Sequence, residues 1–318
     1  MIRHAIIGAG AMGSNHARVC GLIRDVQVAL VIDADPARAR YLAEQVEGAA
    51  AWATDLPEDF DGIDSAVVAV PTDVHREYGV RLVEAGIHLL VEKPLASSVM
   101  DATALVNAAG ARGVVLAVGH VEQFNTAIVE LGNWIDEVVH IRATRVGPYS
   151  TRVTEGVIFD LMIHDLEIIQ RIVQSDVVDV HATARRTRSG TEDLASALLV
   201  FANGITASLT ASRVDQNKVR ELQITQTSNT IDLDLLQQTI TIRRLAEAEF
   251  TSGPLTRYRQ SGVVEIPFIE RRGEPLLSEV EQFFACVRTG ETPRVTGRDG
   301  LAAVKLAVQV AAAAGAPT

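Results

Sequence analysis

Only two cysteines, Cys20 and Cys286, occur in 318 residues. They make no disulfide framework, and their separation fits no metal motif. Both read as small buried hydrophobes in a reducing compartment. No apolar run approaches the ~20 residues needed to span a bilayer, and the chain opens directly on a strand pattern without a signal peptide, so a soluble cytoplasmic protein is expected. Basic residues are also short, 29 Lys and Arg against 40 Asp and Glu, a formal net charge of −11. That balance argues against nucleic acid and membrane surfaces as partners, and a pocket for an anion has to be built deliberately. Repeats and low-complexity tracts are absent too.

The composition, 47% hydrophobic and 22% charged, is that of an ordinary globular protein, and the length exceeds a typical single core. Two domains are expected, at 1–119 and 120–318. In the first, the apolar run 2–7 stops at Gly8-Ala9-Gly10-Ala11-Met12-Gly13, and a helical pattern follows at once. Strand, glycine turn and helix in that order match a dinucleotide fingerprint. Gly8 permits the turn, Gly10 lets the backbone approach a pyrophosphate, and Gly13 lets helix pack on strand. The helix N-terminus faces the phosphates with its N–H groups. The next strand, 26–32, ends at Asp33, about 20 residues beyond the fingerprint, where a ribose-binding acid belongs. An N-cap for the helix after Pro36 is the structural alternative for Asp33. Asp33 favours NAD over NADP. Arg38 lies near enough to reach a 2′-phosphate but reads more simply as a solvated helix charge.

Two further strands end where ligands bind, 64–70 running into Pro71-Thr72-Asp73-Val74-His75 and 87–91 into Glu92-Lys93-Pro94. For His75 a capping role weighs as much as a functional one. Lys93, directly after a buried strand, reads as a held cation. A helix over 99–112 and a strand at 114–118 complete a doubly wound parallel sheet.

Beyond Gly119-His120 the pattern changes to a helix at 126–134, the alternating strand 138–145, and a buried helix from Gly156 through Val173. Asp160 and His164 stand in its apolar first turns, four residues apart and so on one face. A structural hydrogen bond and acid–base chemistry are both open for the pair; a metal site lacks a third ligand at obvious spacing. Strands at 177–185, 195–201, 205–212, 221–227, 230–235 and 239–244 follow, an irregular stretch at 245–275, and closing helices at 278–289 and 300–314. The first of those helices opens on a capping box, Ser278-Glu-Val-Glu281. Successive strands imply a mainly antiparallel sheet in an α+β domain, helices on one face and the other open. The open face is the expected interface of a homodimer or homotetramer.

Together these residues resemble the Gfo/Idh/MocA family of sugar and polyol oxidoreductases. The matching motifs are Gly8-Ala-Gly-Ala-Met-Gly13 with His16, Pro71-Thr72 with His75, Ala85-Gly86-Ile-His88, Glu92-Lys93-Pro94-Leu95, and Asp160 with His164. The resemblance implies a Rossmann domain followed by an open-faced α/β domain with the active site between them. It also implies that Lys93 and His164 serve the reacting centre with Asp160 as partner, and that Lys93-Pro94 is a cis peptide. For the cofactor it brings forward Gly8, Gly10, Ala11, Met12, Gly13, Asp33, Pro71, Thr72, His75, Glu92 and Lys93.

Within the family, Val118-Gly-His120-Val-Glu122-Gln-Phe124-Asn125, Arg145-Val-Gly147-Pro148 and Gly156-Val-Ile-Phe-Asp160-Leu-Met-Ile-His164-Asp165 look like the branch that oxidises the 3-hydroxyl of UDP-N-acetylglucosamine. Gln123 stands where that branch has arginine, and Thr126 where it has proline. His120, Glu122, Asn125 and Arg152 join Lys93 and His164 as substrate candidates. A diphosphate needs cations, for which Arg145, Arg152, Arg213 and Arg257 are available.

The chemistry this predicts is NAD-dependent oxidation of a sugar secondary hydroxyl. His164 has an unperturbed pKa near working pH and suits the base, with Asp160 orienting it. Lys93 stabilises the alkoxide, and exchange of the roles of Lys93 and His164 is the alternative. Three other readings stand beside it: a dehydrogenase of a free sugar or inositol, a non-redox NAD-binding regulator, and a hydrolase that uses NAD transiently.

Overall fold

A computed structural model describes residues 1–48, 50–150, 155–251, 257–269 and 273–316, with only the backbone described at 246–251 and 257–260. Arg152 therefore lies outside the described residues, as does the side chain of Arg257.

The chain forms two compact units, Met1–Phe124 with Glu274–Val308, and Asn125–Gly273 with Gln309–Thr318. In the first, β1 (Ile2–Ile7), α1 (Ala11–Cys20), β2 (Val26–Ile32), α2 (Pro36–Gln45), β3 (Ala51–Ala53), β4 (Ser65–Val68), α3 (His75–Glu84), β5 (His88–Glu92), α4 (Val99–Arg112) and β6 (Leu116–Gly119) alternate as expected. The six strands are all parallel, in the order β3-β2-β1-β4-β5-β6. This is the doubly wound arrangement, and the strand order reverses between β1 and β4, where ligands bind in such sheets. The strands are mainly apolar because both faces are covered; every residue of β4 is buried. The ends of the helices are written locally. Ser98 Oγ accepts from Asp101 N–H to start α4, and Gly113, at φ 67°, ends it in the left-handed conformation.

The second unit holds α5 (Thr126–Leu131), β7 (Val138–Val146), α6 (Ile163–Val173), β8 (Val177–Arg185), β9 (Leu194–Phe201), β10 (Thr206–Ser212), β11 (Val219–Gln226), β12 (Thr230–Asp234), β13 (Thr239–Thr251) and β14 (Arg257–Glu265). These strands form one sheet in the order β14-β13-β12-β11-β7-β10-β9-β8. Every pairing is antiparallel except that of β7 with β10. Ile141, Ala143, Ala207, Leu209, Leu222 and Ile224 bury one face. The other face is polar, with His140 held between Thr206 Oγ1 and Ser208 Oγ, and Gln223 on Asp232. Large exposed apolar side chains stand near the β14 edge, at Val263, Val264, Ile266 and Phe268, and singly elsewhere on the sheet, at Val139, Val178 and Leu198.

Several expectations need correction. The boundary at 119/120 shifts to after Phe124, and α7 (Pro275–Thr289) with most of α8 (Gly297–Ala313) belongs to the first unit. The reason is burial: Leu276, Val280, Phe283 and Phe284 of α7 join Ile2, Ile6, Val19, Val31 and Val67 in one core. α7 begins at Pro275, earlier than the capping box suggests, so Ser278 and Glu281 are interior helix residues. The stretch 245–275 is not irregular throughout, because β13 continues to Thr251 and β14 pairs with it. The short strand β3 was not anticipated.

Candidate active site

Three glycines at the β1–α1 turn are each required for a different reason. Gly8 has φ +99°, and a Cβ there would stand 2.4 Å from the Ala69 carbonyl oxygen. A Cβ on Gly13 would stand 1.7 Å from the Gly8 carbonyl oxygen, so only glycine permits this approach of helix to turn. Gly10 has nothing within 4 Å of that position; its side faces open space that a ligand's phosphates can enter. Ala11 starts α1, and Met12 is partly exposed beside it.

Asp33 is tied to this turn. Its Oδ2 accepts from Ala9 N–H at 2.7 Å and its Oδ1 from Asp35 N–H at 2.8 Å. The N-cap of α2 is Asp35, which accepts from Ala37 and Arg38, so the capping alternative for Asp33 falls away. A carboxylate has about four acceptor positions, and two remain for ribose hydroxyls. Arg38 is an exposed side chain 3.4 Å from Asp35. An open glycine cradle beside a fixed carboxylate fits the pyrophosphate and ribose of a dinucleotide.

At the end of β4, Pro71 precedes the 3-10 turn Thr72–Val74. His75 neither caps nor offers a nitrogen outward, because its Nδ1 lies 3.0 Å from the Pro94 carbonyl oxygen and its Nε2 2.9 Å from that of Val70. It straps the β4 end to the turn after β5. The Lys93–Pro94 peptide is cis. Glu92 is buried, with Oε1 2.7 Å from His16 Nε2. The neighbouring Gly119 leaves room for that carboxylate, since a Cβ there would stand 3.1 Å from it. His120 is fully buried; burial first, and the charge of Lys93 second, push its pKa down to about 3, so it is a neutral imidazole at neutral pH. Glu122 and Gln123 are also buried.

One residue here had no place in the sequence reading. Glu279, on α7, is buried with both carboxyl oxygens lacking a hydrogen-bond partner among the described residues. Burial, then the charge of Glu92, raises its pKa well above the ordinary value. An acid amid Leu276, Leu277, Val280, Phe283 and Phe284 was the available signal, hidden by the capping-box reading.

In the second unit, Asn125 caps α5, its Oδ1 accepting from Ala127 N–H, while its Nδ2 donates to the Leu235 carbonyl at 2.8 Å. Thr126 donates to Gln238. Asp160 lies in a π-helical turn, Ile158–Met162, and His164 in the first turn of α6. The α-helical stacking inferred from their spacing is thus altered, because a π turn is wider than an α turn. Nor are they core residues: each is half-buried, while Ile158, Met162 and Ile163 around them are fully buried. The helix start is held by Glu192, whose backbone carbonyl accepts from Val157 N–H and whose carboxylate takes the space that a Cβ on Gly156 would fill.

Arg145 is buried, its guanidinium chelated by Asp165 at 2.8–3.1 Å. Arg213 is buried too, with Nε 4.0 Å from Asp193 and its guanidinium donating to the Glu155 carbonyl. Against the upward push of burial, the N–H groups of Thr187, Arg188 and Ser189 and the Ser189 hydroxyl hold Asp193 well below the usual carboxylate range. Both arginines are fixed by buried anions, not solvated at the surface.

Residues 2–120 match the family model described as an oxidoreductase family with an NAD-binding Rossmann fold, and residues 127–232 match the GFO/IDH/MocA C-terminal domain. The chain belongs to the Gfo/Idh/MocA oxidoreductase family. UDP-N-acetylglucosamine 3-dehydrogenase of Acidithiobacillus ferrooxidans is 28% identical, over 97% of this chain and 96% of that one. The NAD(+)-dependent scyllo-inositol 2-dehydrogenase of Bacillus subtilis is also 28% identical, over 98% and 93%. The solved Acidithiobacillus enzyme superposes with a TM-score of 0.87 at 27% identity, covering 98% of this chain and 97% of its own. This member of the family is an NAD(P)-dependent oxidoreductase acting on CH–OH groups. No helix among the described residues is long and apolar enough to cross a membrane.

Proposed function

We propose that this protein oxidises a secondary hydroxyl of a sugar or polyol to a ketone with NAD, and that its substrate is UDP-N-acetylglucosamine or a related UDP-sugar oxidised at the 3-position. The observation that carries the redox reading is the open Gly10 cradle with Asp33 fixed at Ala9. The Gly8–Gly13 turn and Asp33 would hold NAD, which when bound would supply the hydride acceptor for the carbinol carbon. His164 takes the hydroxyl proton, so that one C–H and one O–H bond break as the C=O bond forms. Asp160 steadies the resulting imidazolium, and Lys93 hydrogen-bonds the oxygen as charge develops on it. Asp33 accepts from the ribose hydroxyls and disfavours a 2′-phosphate; the pairing of Arg38 with Asp35 supports NAD over NADP. Glu92 and His75 hold the turn that carries Lys93.

The alternative substrate, a free inositol or sugar, is supported by the equal identity to scyllo-inositol 2-dehydrogenase. We further propose a cytoplasmic homo-oligomer, for which the polar open face would need the apolar side chains near the β14 edge as its adhesive part. Absorbance at 340 nm with UDP-sugars, free sugars and inositols, each with NAD and NADP, tests the reading. Stoichiometric NADH from UDP-N-acetylglucosamine supports it. Inositol turnover alone moves the assignment to the polyol, and turnover without net NADH to a hydrolase.

A further inference from the structure

The buried face of the second sheet changes character towards one end. Across the β7–β11 pair, Ile141 stands opposite Ile224 and Ala143 opposite Leu222, and the next pair in the row is Arg145 opposite Arg220. Two cations directly across a ladder repel each other, and a strand pair adopts that register only where anions surround it. Asp165 supplies one, chelating Arg145. Lys218, the residue just before β11 begins, lines the same cavity as Arg220.

Arg145, Lys218 and Arg220 line one cavity of about 240 Å³, together with Arg213, Ser150 and Asp160. Among the described residues, four cations thus face one lining carboxylate, in a chain where acids outnumber bases 40 to 29. Counting the buried anions Asp165 and Asp193 against Arg145 and Arg213, these described residues carry one positive charge in excess (four cations less three carboxylates). The volume is below the ~300–1,000 Å³ of a complete small-molecule site, so the cavity suits a group of a ligand. Asp160, one turn before the candidate base, ties that group to the reacting substrate.

We propose that Lys218 and Arg220 bind the diphosphate of a nucleotide-sugar substrate in this cavity, with Arg145 and Arg213 as fixed, internally paired cations behind them. The inference rests on the nucleotide-sugar reading above and deepens it by naming the residues that set substrate class. A planar guanidinium and a mobile ammonium are complementary partners for phosphate oxygens. A neutral inositol gains nothing from either.

The test uses the full-length protein with NAD bound. Calorimetry with UDP and with inorganic pyrophosphate measures the subsite directly, and dicarboxylates such as malonate separate phosphate recognition from general anion attraction. Kinetics with UDP-N-acetylglucosamine are compared for wild type, Lys218→Ala and Arg220→Gln. Lys218 is exposed, so Lys218→Ala keeps the fold even if the Arg220 variant does not. The expected result is UDP and pyrophosphate binding that beats malonate, and KM raised about tenfold or more in each variant with kcat within about threefold. Turnover of UDP-N-acetylglucosamine with KM unmoved in both variants overturns the inference and leaves the function standing. Failure of wild type to oxidise any UDP-sugar overturns the nucleotide-sugar reading; in that case absent pyrophosphate binding overturns the subsite too, and pyrophosphate binding lost in Lys218→Ala supports it.

Discussion

The imidazole of His16, on α1, lies 2.7 Å from the carboxylate of Glu92, the last residue of β5 and the one before Lys93. Both are buried, and the pair joins the glycine-turn helix to the strand that presents the candidate cation. Removing the imidazole leaves a carboxylate in an apolar setting with Glu279 nearby. His16→Ala is therefore expected to cost about 3 kcal/mol, the range for breaking a buried pair. Urea unfolding at constant m checks it; a loss below about 1 kcal/mol would mean that water or a rearrangement replaces the histidine.

Glu279 makes stability depend on pH in a direction opposite to that of most carboxylates. Its pKa in the folded protein is raised above the ordinary 4.5, so the native state keeps a proton that the unfolded chain releases. Its contribution is most favourable below about pH 4.5 and is lost as pH rises towards the folded value, by up to about 1.4 kcal/mol per pH unit. Glu279→Gln removes the ionisation and keeps the shape. The variant should gain on wild type steadily between pH 5 and pH 8 in thermal or urea unfolding. A difference that stays flat with pH would falsify the protonated, buried assignment.

The first sheet was legible because each of its signals is local. A strand, a glycine turn and a helix lie within residues 2–20, and the acid that serves the turn ends the next strand. α7 was not legible as part of that unit, since its apolar side chains look the same whichever core receives them. The Asp160–His164 pair was found by spacing, but the π turn that alters its geometry, just after Gly156 packs against Glu192, is recorded by no periodicity. Lys218 and Arg220 had no motif at all. Only the register that sets Arg220 opposite Arg145 reveals them.

His164 is half-buried at the start of α6, a position that reaches a ligand without holding up the core. His164→Ala is expected to lower kcat/KM by about 10²–10⁴, the usual contribution of a general base, with stability within about 1 kcal/mol of wild type. NAD affinity, read by quenching of protein fluorescence, should stay within about twofold. Asp160→Asn should show a smaller loss and a shifted acidic limb in its pH–rate profile. Parallel loss of NAD affinity in His164→Ala would make the residue structural and return the base to Lys93.

Asp33 has two tasks that one substitution can separate. It holds Ala9 N–H and Asp35 N–H, and it offers its remaining lone pairs to a ribose. Asp33→Asn keeps one acceptor for the turn but replaces the other with a donor and removes the charge. NAD binding is expected to weaken about tenfold or more, the scale for losing a charged hydrogen bond, while NADP, relieved of a carboxylate facing its 2′-phosphate, should change little or improve. The ratio of NAD to NADP affinities is the decisive quantity, because damage to the turn alone would weaken both cofactors alike. An unchanged ratio sinks the ribose assignment and leaves Asp33 as a strut of the glycine turn. A fallen ratio places the cofactor's ribose at the end of β2, beside the cradle that Gly10 leaves open.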